Sequence, residues 1–196
     1  MTVEFVAGNL ALDFANTVHS HGSSDPQDHL KTYGDLIGWS QQAGLLSDRQ
    51  RRQLERRKSA QQKADFERTQ ELRESIYRIF SSLARGKRVP PEAAQEFNLH
   101  LREVMAEASL QSVGKCFALT WEALGTAWRR VRGEITRSAV ALLTSGRLHR
   151  VRQCAGETCT WLFLDTSRNG LRRWCDMKAC GNRNKVQRFR KRNALG

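Results

Sequence analysis

Four of the five cysteines in this chain lie between positions 154 and 180, in two close pairs. Cys154 and Cys159 enclose four residues, fifteen residues follow, and Cys175 and Cys180 again enclose four. Two short cysteine loops joined by a spacer are how a chain brings four thiolates around one metal ion. The pattern predicts that the C-terminal quarter of the chain folds around a metal.

Zinc fits such a site best, because it has no redox chemistry and accepts tetrahedral coordination without penalty. An iron–sulfur cluster could use the same thiolates, and disulfides could form in an oxidising compartment; both remain alternatives. A catalytic zinc is disfavoured, because four thiolates leave no open coordination position for water or substrate. We therefore expect one structural Zn²⁺ per chain, ligated by Cys154, Cys159, Cys175 and Cys180.

The spacer between the two pairs contains strand-forming residues at 160–165 and then Asn169-Gly170, the strongest short hairpin signal in a sequence. We expect a β-hairpin here, with Cys159 and Cys175 near its open end. A hairpin in this position would direct both cysteines towards the same ion.

Residues 182–192 contain no glycine or proline and are expected to form a helix. Val186 and Phe189 give this helix one apolar stripe, which we expect to dock on the hairpin. A cysteine loop, a hairpin and a helix that begins at the second pair make a treble-clef-like module. A module of about 45 residues is too small to fold securely on apolar burial alone. We expect metal removal to unfold it and to leave the helices of residues 1–145 in place.

Positive charge is concentrated in the same quarter of the chain. The whole chain has 33 Lys and Arg against 20 Asp and Glu, a net charge of +13, and residues 150–196 hold 12 basic but only 3 acidic residues. A surplus of this size favours polyanionic partners. Four thiolates around one zinc ion carry −2, so the loaded module keeps about +7, which is enough to neutralise several phosphates.

The basic helix and its flanks are therefore the candidate surface for double-stranded DNA. The residues that we expect to contact DNA are Arg172, Arg173, Arg183, Lys185, Arg188 and Arg192. Two alternatives stay open: the charge could be a solvated surface without a partner, and Arg183 could brace the zinc knuckle instead. A second basic segment, residues 49–58, alternates with Asp48 and Glu55 and is interpreted as a plain solvated helix.

Residues 1–147 show the periodicity of amphipathic helices, with an alternating stretch near 110–121 that indicates a short strand or hairpin. Capping boxes at Thr32 and Ser47 mark two helix starts. The expected fold class is mainly α with minor β. It consists of a multi-helix domain over residues 1–147 and a small treble-clef-like zinc-binding module, a β-hairpin and a basic helix, over residues 148–196.

No set of residues in the chain suggests an active site, so we expect no enzyme. Cys116 lies in the alternating stretch and is interpreted as a buried small hydrophobe, and no nucleophile, base and orienting group occur together. Asp13 and Asn16 are polar positions on one turn of an apolar helix. They are candidates for binding a small-molecule effector, the alternative being that they satisfy backbone groups of the following loop.

Several of these motifs resemble a known family. The C-terminal module resembles the CGNR zinc finger, whose name spells Cys180-Gly181-Asn182-Arg183. Thr160-Trp-Leu-Phe-Leu-Asp165 and Arg173-Trp174 belong to the same resemblance. The N-terminal part is similar to the ABATE domain through Leu12-Asp13, Asn16-Thr17 and Tyr33-Gly-Asp-Leu36. ABATE domains accompany this finger in bacterial proteins described as stress-induced transcription regulators, and the two resemblances cover nearly the whole chain.

The resemblance implies a bacterial DNA-binding protein that regulates transcription. Because a regulator needs an input, we expect the N-terminal domain to sense a ligand or to form a homodimer. The alternative is a zinc-stabilised protein-interaction module, whose binding would be insensitive to nucleic-acid competitor. No apolar run approaches the roughly 18 to 20 residues of a membrane span, and the N-terminus lacks a cationic start and an apolar core. We therefore expect a cytoplasmic protein without a membrane partner.

Overall fold

The computed structural model describes residues 4–121 and 127–193, without the side chains of residues 188 and 191–193. The described chain is mainly helical and has three small two-stranded antiparallel sheets. This confirms the expected fold class. None of the described helices is long and apolar enough to cross a bilayer.

Among the described residues of the N-terminal part there are six α-helices: α1 (Leu10–Ala15), α2 (Tyr33–Gln42), α3 (Asp48–Glu55), α4 (Ser59–Ala84), α5 (Pro91–Ala106) and α6 (Ala127–Leu143). The capping boxes expected at Thr32 and Ser47 are both formed. Each cap hydroxyl accepts the backbone N–H of the third helical residue, and the side chain of that residue accepts the N–H of the cap. These bonds satisfy N–H groups that the helix itself leaves unpaired, so local sequence sets where α2 and α3 begin.

The core lies where α1 packs against α4 and α6, and where α5 packs against the same two helices. Leu72, Ile76 and Phe80 are fully buried and lie on one face of α4, as their spacing of four residues predicts. Between α1 and α2, a short ladder pairs β1 (Val18–His19) with β2 (Gln27–Asp28).

A hairpin follows α5 and confirms the strand expected near 110–121. It pairs β3 (Ser109–Val113) with β4 (Cys116–Thr120). The strands contact mainly each other, so their side chains stay exposed: Leu110 by 70% and Phe117 by 72%. The expectation that Cys116 is buried is wrong, because Cys116 lies on this exposed hairpin and is itself exposed.

Trp121 anchors the base of this hairpin to the helices. The indole N–H of this buried residue donates to the backbone oxygen of Val104 at 2.8 Å. Its ring lies against Gly133 of α6, where a Cβ atom would stand 2.2 Å from the indole Cδ2. A side chain at position 133 would therefore displace the ring.

The C-terminal module contains β5 (Val151–Gln153), β6 (Leu162–Leu164) and α7 (Asn182–Asn193). The prediction of a hairpin between the two cysteine pairs is wrong. Instead β6 pairs back onto β5, with Val151 opposite Leu164, so the first cysteine pair lies in the hairpin loop. After β6 the Asp165 carboxylate accepts the N–H groups of Ser167 and Arg172, which turns the chain away from a strand path.

The expected basic helix is confirmed as α7, but its apolar stripe does not dock. Val186 is 49% exposed and Phe189 is 57% exposed. The main packing partner of α7 in the described chain is the π-helical turn just before it, Met177–Gly181. The helix extends from this turn and leaves the stripe uncovered.

The C-terminal module shares one hydrophobic core with the helices. The Asn16 amide of α1 donates to the backbone oxygen of Leu162 and accepts its N–H, both at 2.8 Å. The N–H of Leu164 donates to the backbone oxygen of Ala7 at 2.8 Å. The four clustered cysteines and Phe163 belong to the same buried cluster as the helical core. The two parts therefore stabilise each other, which differs from the separate sources of stability expected from the sequence.

Candidate metal centre and basic surface

The four paired cysteines meet at one point in the fold. Their Sγ atoms all lie within 4.8 Å of one another, and all four residues are buried. The Sγ atoms of Cys159 and Cys175 are 3.8 Å apart, and those of Cys175 and Cys180 are 3.6 Å apart. Sulfurs at about 2.3 Å from a tetrahedral zinc stand about 3.8 Å from each other. The donor set fits one Zn²⁺.

The sulfurs need a cation if all of them are to be charged. Hydrogen bonds from the Cys159 and Cys175 thiols lower the pKa of Cys154 to about 2. The hydrogen bond to Cys154 and burial raise the pKa of Cys159 to about 12. The pKa of Cys175 is raised by the same hydrogen bonding, and burial raises that of Cys180. A bound dication would stabilise all four thiolates together.

The first cysteine loop depends on a glycine. A Cβ atom at Gly156 would lie 3.0 Å from the Cβ of Cys159 and 3.6 Å from the Sγ of Cys154. Any larger residue would therefore crowd the sulfurs and move the loop. Gly156 was not singled out from the sequence, because its constraint comes from how the loop folds over the metal position.

The second cysteine pair is held by the π-helical turn. Asp176 caps this turn, its carboxylate accepting the N–H of Ala179 at 2.6 Å. Two residues before this turn, the backbone N–H of Cys175 donates to the Sγ of Cys154 at 3.4 Å. This bond joins the two loops and helps to hold a thiolate at Cys154.

Arg172, expected to contact DNA, is engaged inside the protein. Its Nε donates to the backbone oxygen of Trp174 at 2.9 Å, and its Nη2 donates to the backbone oxygens of Val6, at 3.0 Å, and of Cys175. Its guanidinium carbon lies 4.5 Å from the ring centroid of Phe163. Arg172 therefore braces the second cysteine loop against the N-terminal segment.

Replacing Arg172 should cost stability. For Arg172→Gln we expect a melting temperature about 5 to 10 °C lower, because a net loss equal to one charge-assisted hydrogen bond, about 1.5 to 3 kcal/mol, shifts the melting temperature of a chain this long by that amount. The matched control is Arg173→Gln, since Arg173 is exposed and lies over the Trp174 ring at 5.5 Å. Thermal unfolding of the zinc-loaded variants measures both effects, and equal melting temperatures would contradict the bracing role.

Asp13 and Asn16, the candidate effector residues, are both buried and bonded to the protein backbone. Asp13 Oδ1 accepts the N–H of Ala7 at 2.9 Å. Burial raises the pKa of Asp13 to about 6, although backbone hydrogen bonds from Ala7 and Val6 oppose the shift. Asn16 uses both amide atoms on Leu162. The two side chains thus bond backbone groups of the N-terminal segment and β6, not of the loop after α1.

The remaining expected DNA contacts lie next to the second cysteine pair and along α7. Arg173 is exposed just before the second cysteine pair, and Arg183 and Lys185 are exposed at the start of α7. Arg188 and Arg192 also lie on α7, but their side chains are outside the described part of the structure. Exposed positive charge therefore continues from the metal loop into the helix.

A cavity of about 620 Å³ separates the metal centre from the loop after α1. Its walls include His19, His29, Trp161 and Arg183. Burial lowers the pKa of His19, and the charges of Arg183 and His29 lower it further. His29 was not singled out from the sequence, because only the fold brings it to the same cavity as Trp161 and Arg183.

Two family models match this chain. The ABATE model, described as "Putative stress-induced transcription regulator", matches residues 8–146. The CGNR zinc finger matches residues 150–193. The comparison with curated proteins gave no match. Together with the sulfur geometry, the finger match confirms the expected structural Zn²⁺ site.

Proposed function

This chain belongs to the ABATE family and carries a CGNR zinc finger, and from this premise we propose that it is a transcription regulator that binds double-stranded DNA through the finger. Zinc holds the module in shape, and its basic surface contacts the phosphate backbone. Arg173, Arg183 and Lys185 are the described side chains that contact DNA, and Arg188 and Arg192 extend the contact along α7.

The observation that carries this proposal is the difference in ion pairing between the two parts of the protein. In the described chain, the ion pairs join groups between His21 and Arg137, as in Arg68 with Glu103 and Arg73 with Asp28. No described Arg or Lys after position 146 lies within 4.0 Å of a described carboxylate oxygen. Arg150 and Arg172 do bond backbone oxygens, but a cation whose charge is not paired with a carboxylate can still neutralise a phosphate.

A salt series tests the proposal on the full-length, zinc-loaded protein. If about four phosphates are neutralised, log K against log[salt] should fall with a slope near −3.6. Fluorescence anisotropy of a labelled duplex gives affinity at each salt concentration. If the protein does not bind the duplex even at low salt, the proposal of DNA binding is refuted.

A protein-interaction module is the second candidate function, and the exposed Val186 and Phe189 of α7 favour it. An uncovered apolar pair beside basic side chains suits an acidic partner helix. Binding of a protein partner that persists in excess duplex DNA would favour this candidate over the first.

Effector sensing belongs to the same proposal, but we place it at the cavity near the metal centre. Asp13 and Asn16 are occupied by backbone groups, whereas the cavity has walls from both parts of the chain. A volume of about 620 Å³ is typical of small-molecule sites. A polar small molecule bound there would contact Arg183 and so affect the DNA surface. An Arg183→Gln variant that keeps full effector response would contradict this placement.

We also propose a homodimer that forms through the exposed β3–β4 hairpin. Two copies of a chain with charge +13 repel each other, so an interface costs least on a surface that brings few further like charges together. Residues 109–121 contain a single charge, Lys115, and expose Leu110 and Phe117. An isolated two-stranded sheet is only marginally stable in water, so pairing would also stabilise the hairpin. Sedimentation equilibrium that shows only monomer would contradict this part.

The proposal includes no catalytic step and places the protein in the cytoplasm. The zinc donor set supports a structural ion, because four thiolates leave no position for a substrate. Reduced cysteines suit a reducing compartment. If thiol-directed probes labelled Cys116 faster than they label an unperturbed cysteine in a peptide, this would speak against the non-enzymatic interpretation.

A further inference from the structure

Three arginines surround a pocket of about 450 Å³ where α6 leads into the zinc finger. The pocket is lined by Arg147, Arg150 and Arg168, together with Leu164, Asp165, Thr166 and Ser167. None of these arginines was expected to contact DNA, and they are separate from α7 in the sequence. Arg147 and Arg168 are exposed, and Arg150 is half-buried.

The one carboxylate in the pocket is already satisfied by the protein. Asp165 is buried, and its Oδ1 accepts the N–H and the hydroxyl of Ser167 at 2.9 and 2.6 Å. Its Oδ2 accepts the N–H of Arg172 at 2.9 Å. Burial opposes the charge of Asp165, but these hydrogen bonds and the nearby charge of Arg150 outweigh it and lower its pKa. The carboxylate shapes the loop, and among the described side chains it forms no ion pair within 4.0 Å with the three arginines.

Arg150 is held in place before any ligand arrives. Its Nη1 donates to the backbone oxygen of Ser167 at 2.8 Å. Gly170 closes the loop beside it with a φ of +64°, and a Cβ atom there would lie 3.4 Å from the same Nη1. The Asn169-Gly170 sequence thus makes a turn that packs against Arg150. A guanidinium fixed in this way loses less entropy when it binds an anion.

We propose that this pocket binds a phosphate group. Guanidinium groups match the geometry of phosphate oxygens and bind them with charge-assisted hydrogen bonds. Three positive charges converge on one pocket whose only negative charge is engaged, so an anion entering it meets net positive potential. In the DNA-bound protein the group is a backbone phosphate, which adds a contact outside α7 and deepens the proposed function on which it rests. Inorganic phosphate has the same chemistry.

The test uses the full-length, zinc-loaded protein with the double variant R147Q/R168Q. Both side chains are exposed, so their replacement should leave the fold intact. The matched control R152Q/K178Q removes the same charge from exposed finger positions that do not line the pocket. We expect the pocket variant to lose about tenfold in affinity for duplex DNA and about 0.9 in salt slope, while the control keeps the slope of the unaltered protein.

A second arm titrates inorganic phosphate against the same proteins and follows the arginine Nε–Hε signals by NMR. If the pocket variant loses DNA affinity and salt slope while the control variant does not, the pocket binds a backbone phosphate. Unchanged DNA binding with phosphate-dependent shifts of Arg150 that the pocket variant lacks supports a free phosphate or phosphate ester. If neither arm separates the pocket variant from the control, the phosphate site is refuted. Should the unaltered protein bind no DNA, the proposed function fails, and the phosphate titration alone decides the pocket.

Discussion

Zinc removal is expected to lower the melting temperature of the entire chain by more than about 10 °C. Structural zinc contributes about 10 to 16 kcal/mol in zinc-finger peptides, as much as the whole stability of an ordinary domain, about 5 to 15 kcal/mol. Losing even about 4 kcal/mol would shift the melting temperature of a chain this long by roughly 8 to 16 °C.

The effect should extend beyond the finger because the two parts share a core. If the finger unfolds, the Asn16 amide loses both bonds to Leu162, and the backbone oxygen of Ala7 loses the N–H of Leu164. Phe163 also leaves the buried cluster that contains the helical core. The helices of residues 1–145 therefore lose apolar burial and hydrogen bonds together, contrary to the expectation that they would be unaffected.

Far-UV circular dichroism of zinc-loaded and chelated protein measures this prediction, and elemental analysis gives the metal content. We expect one zinc per chain and one cooperative transition in the loaded protein. Cys116→Ser is the control, since Cys116 is exposed and lies outside the sulfur cluster, and it should change neither stoichiometry nor melting temperature. A chelated protein whose helical signal melts at the original temperature would show that the helices stand alone.

Charge reversal on α7 is expected to have the largest effect on DNA binding. Lys185 is one of the proposed contacts, and we count Arg190, a further exposed cation on the same helix, as a second one. We expect the K185E/R190E variant to lose about 100-fold in affinity at low salt and about 1.8 in salt slope, because two phosphate contacts are lost. The loss should be alike for all DNA sequences, since phosphates carry no sequence information.

The matched control is R52E/R56E, on α3 and at its C-terminal cap, which makes the same change in net charge at two exposed positions. Only the long-range field of the protein weakens there, so we expect the affinity to fall by less than about tenfold. The same salt titration compares the two variants. Equal losses would mean that DNA responds to net charge alone and that α7 has no special role.

Local sequence determined much of this protein. The spacing of the cysteines indicated one four-thiolate site, because ligand pairs within a few residues can fold over one ion in almost any context. The capping boxes at Thr32 and Ser47 set two helix starts, because their bonds close within four residues. The apolar spacing of α4 identified its buried face, and the lack of glycine and proline over 182–192 indicated α7.

Only the tertiary structure decided which partner each long-range group meets. Strand β6 could pair forwards or backwards, and the carboxylate of Asp165 and the packing on α1 selected β5. Arg172 looked like a DNA contact because its charge is visible in the sequence, whereas the three backbone oxygens that surround it are not. Asn16 and Leu162 are 146 residues apart. Such contacts depend on how whole elements pack, and the sequence records local preference and charge but not the distances between elements.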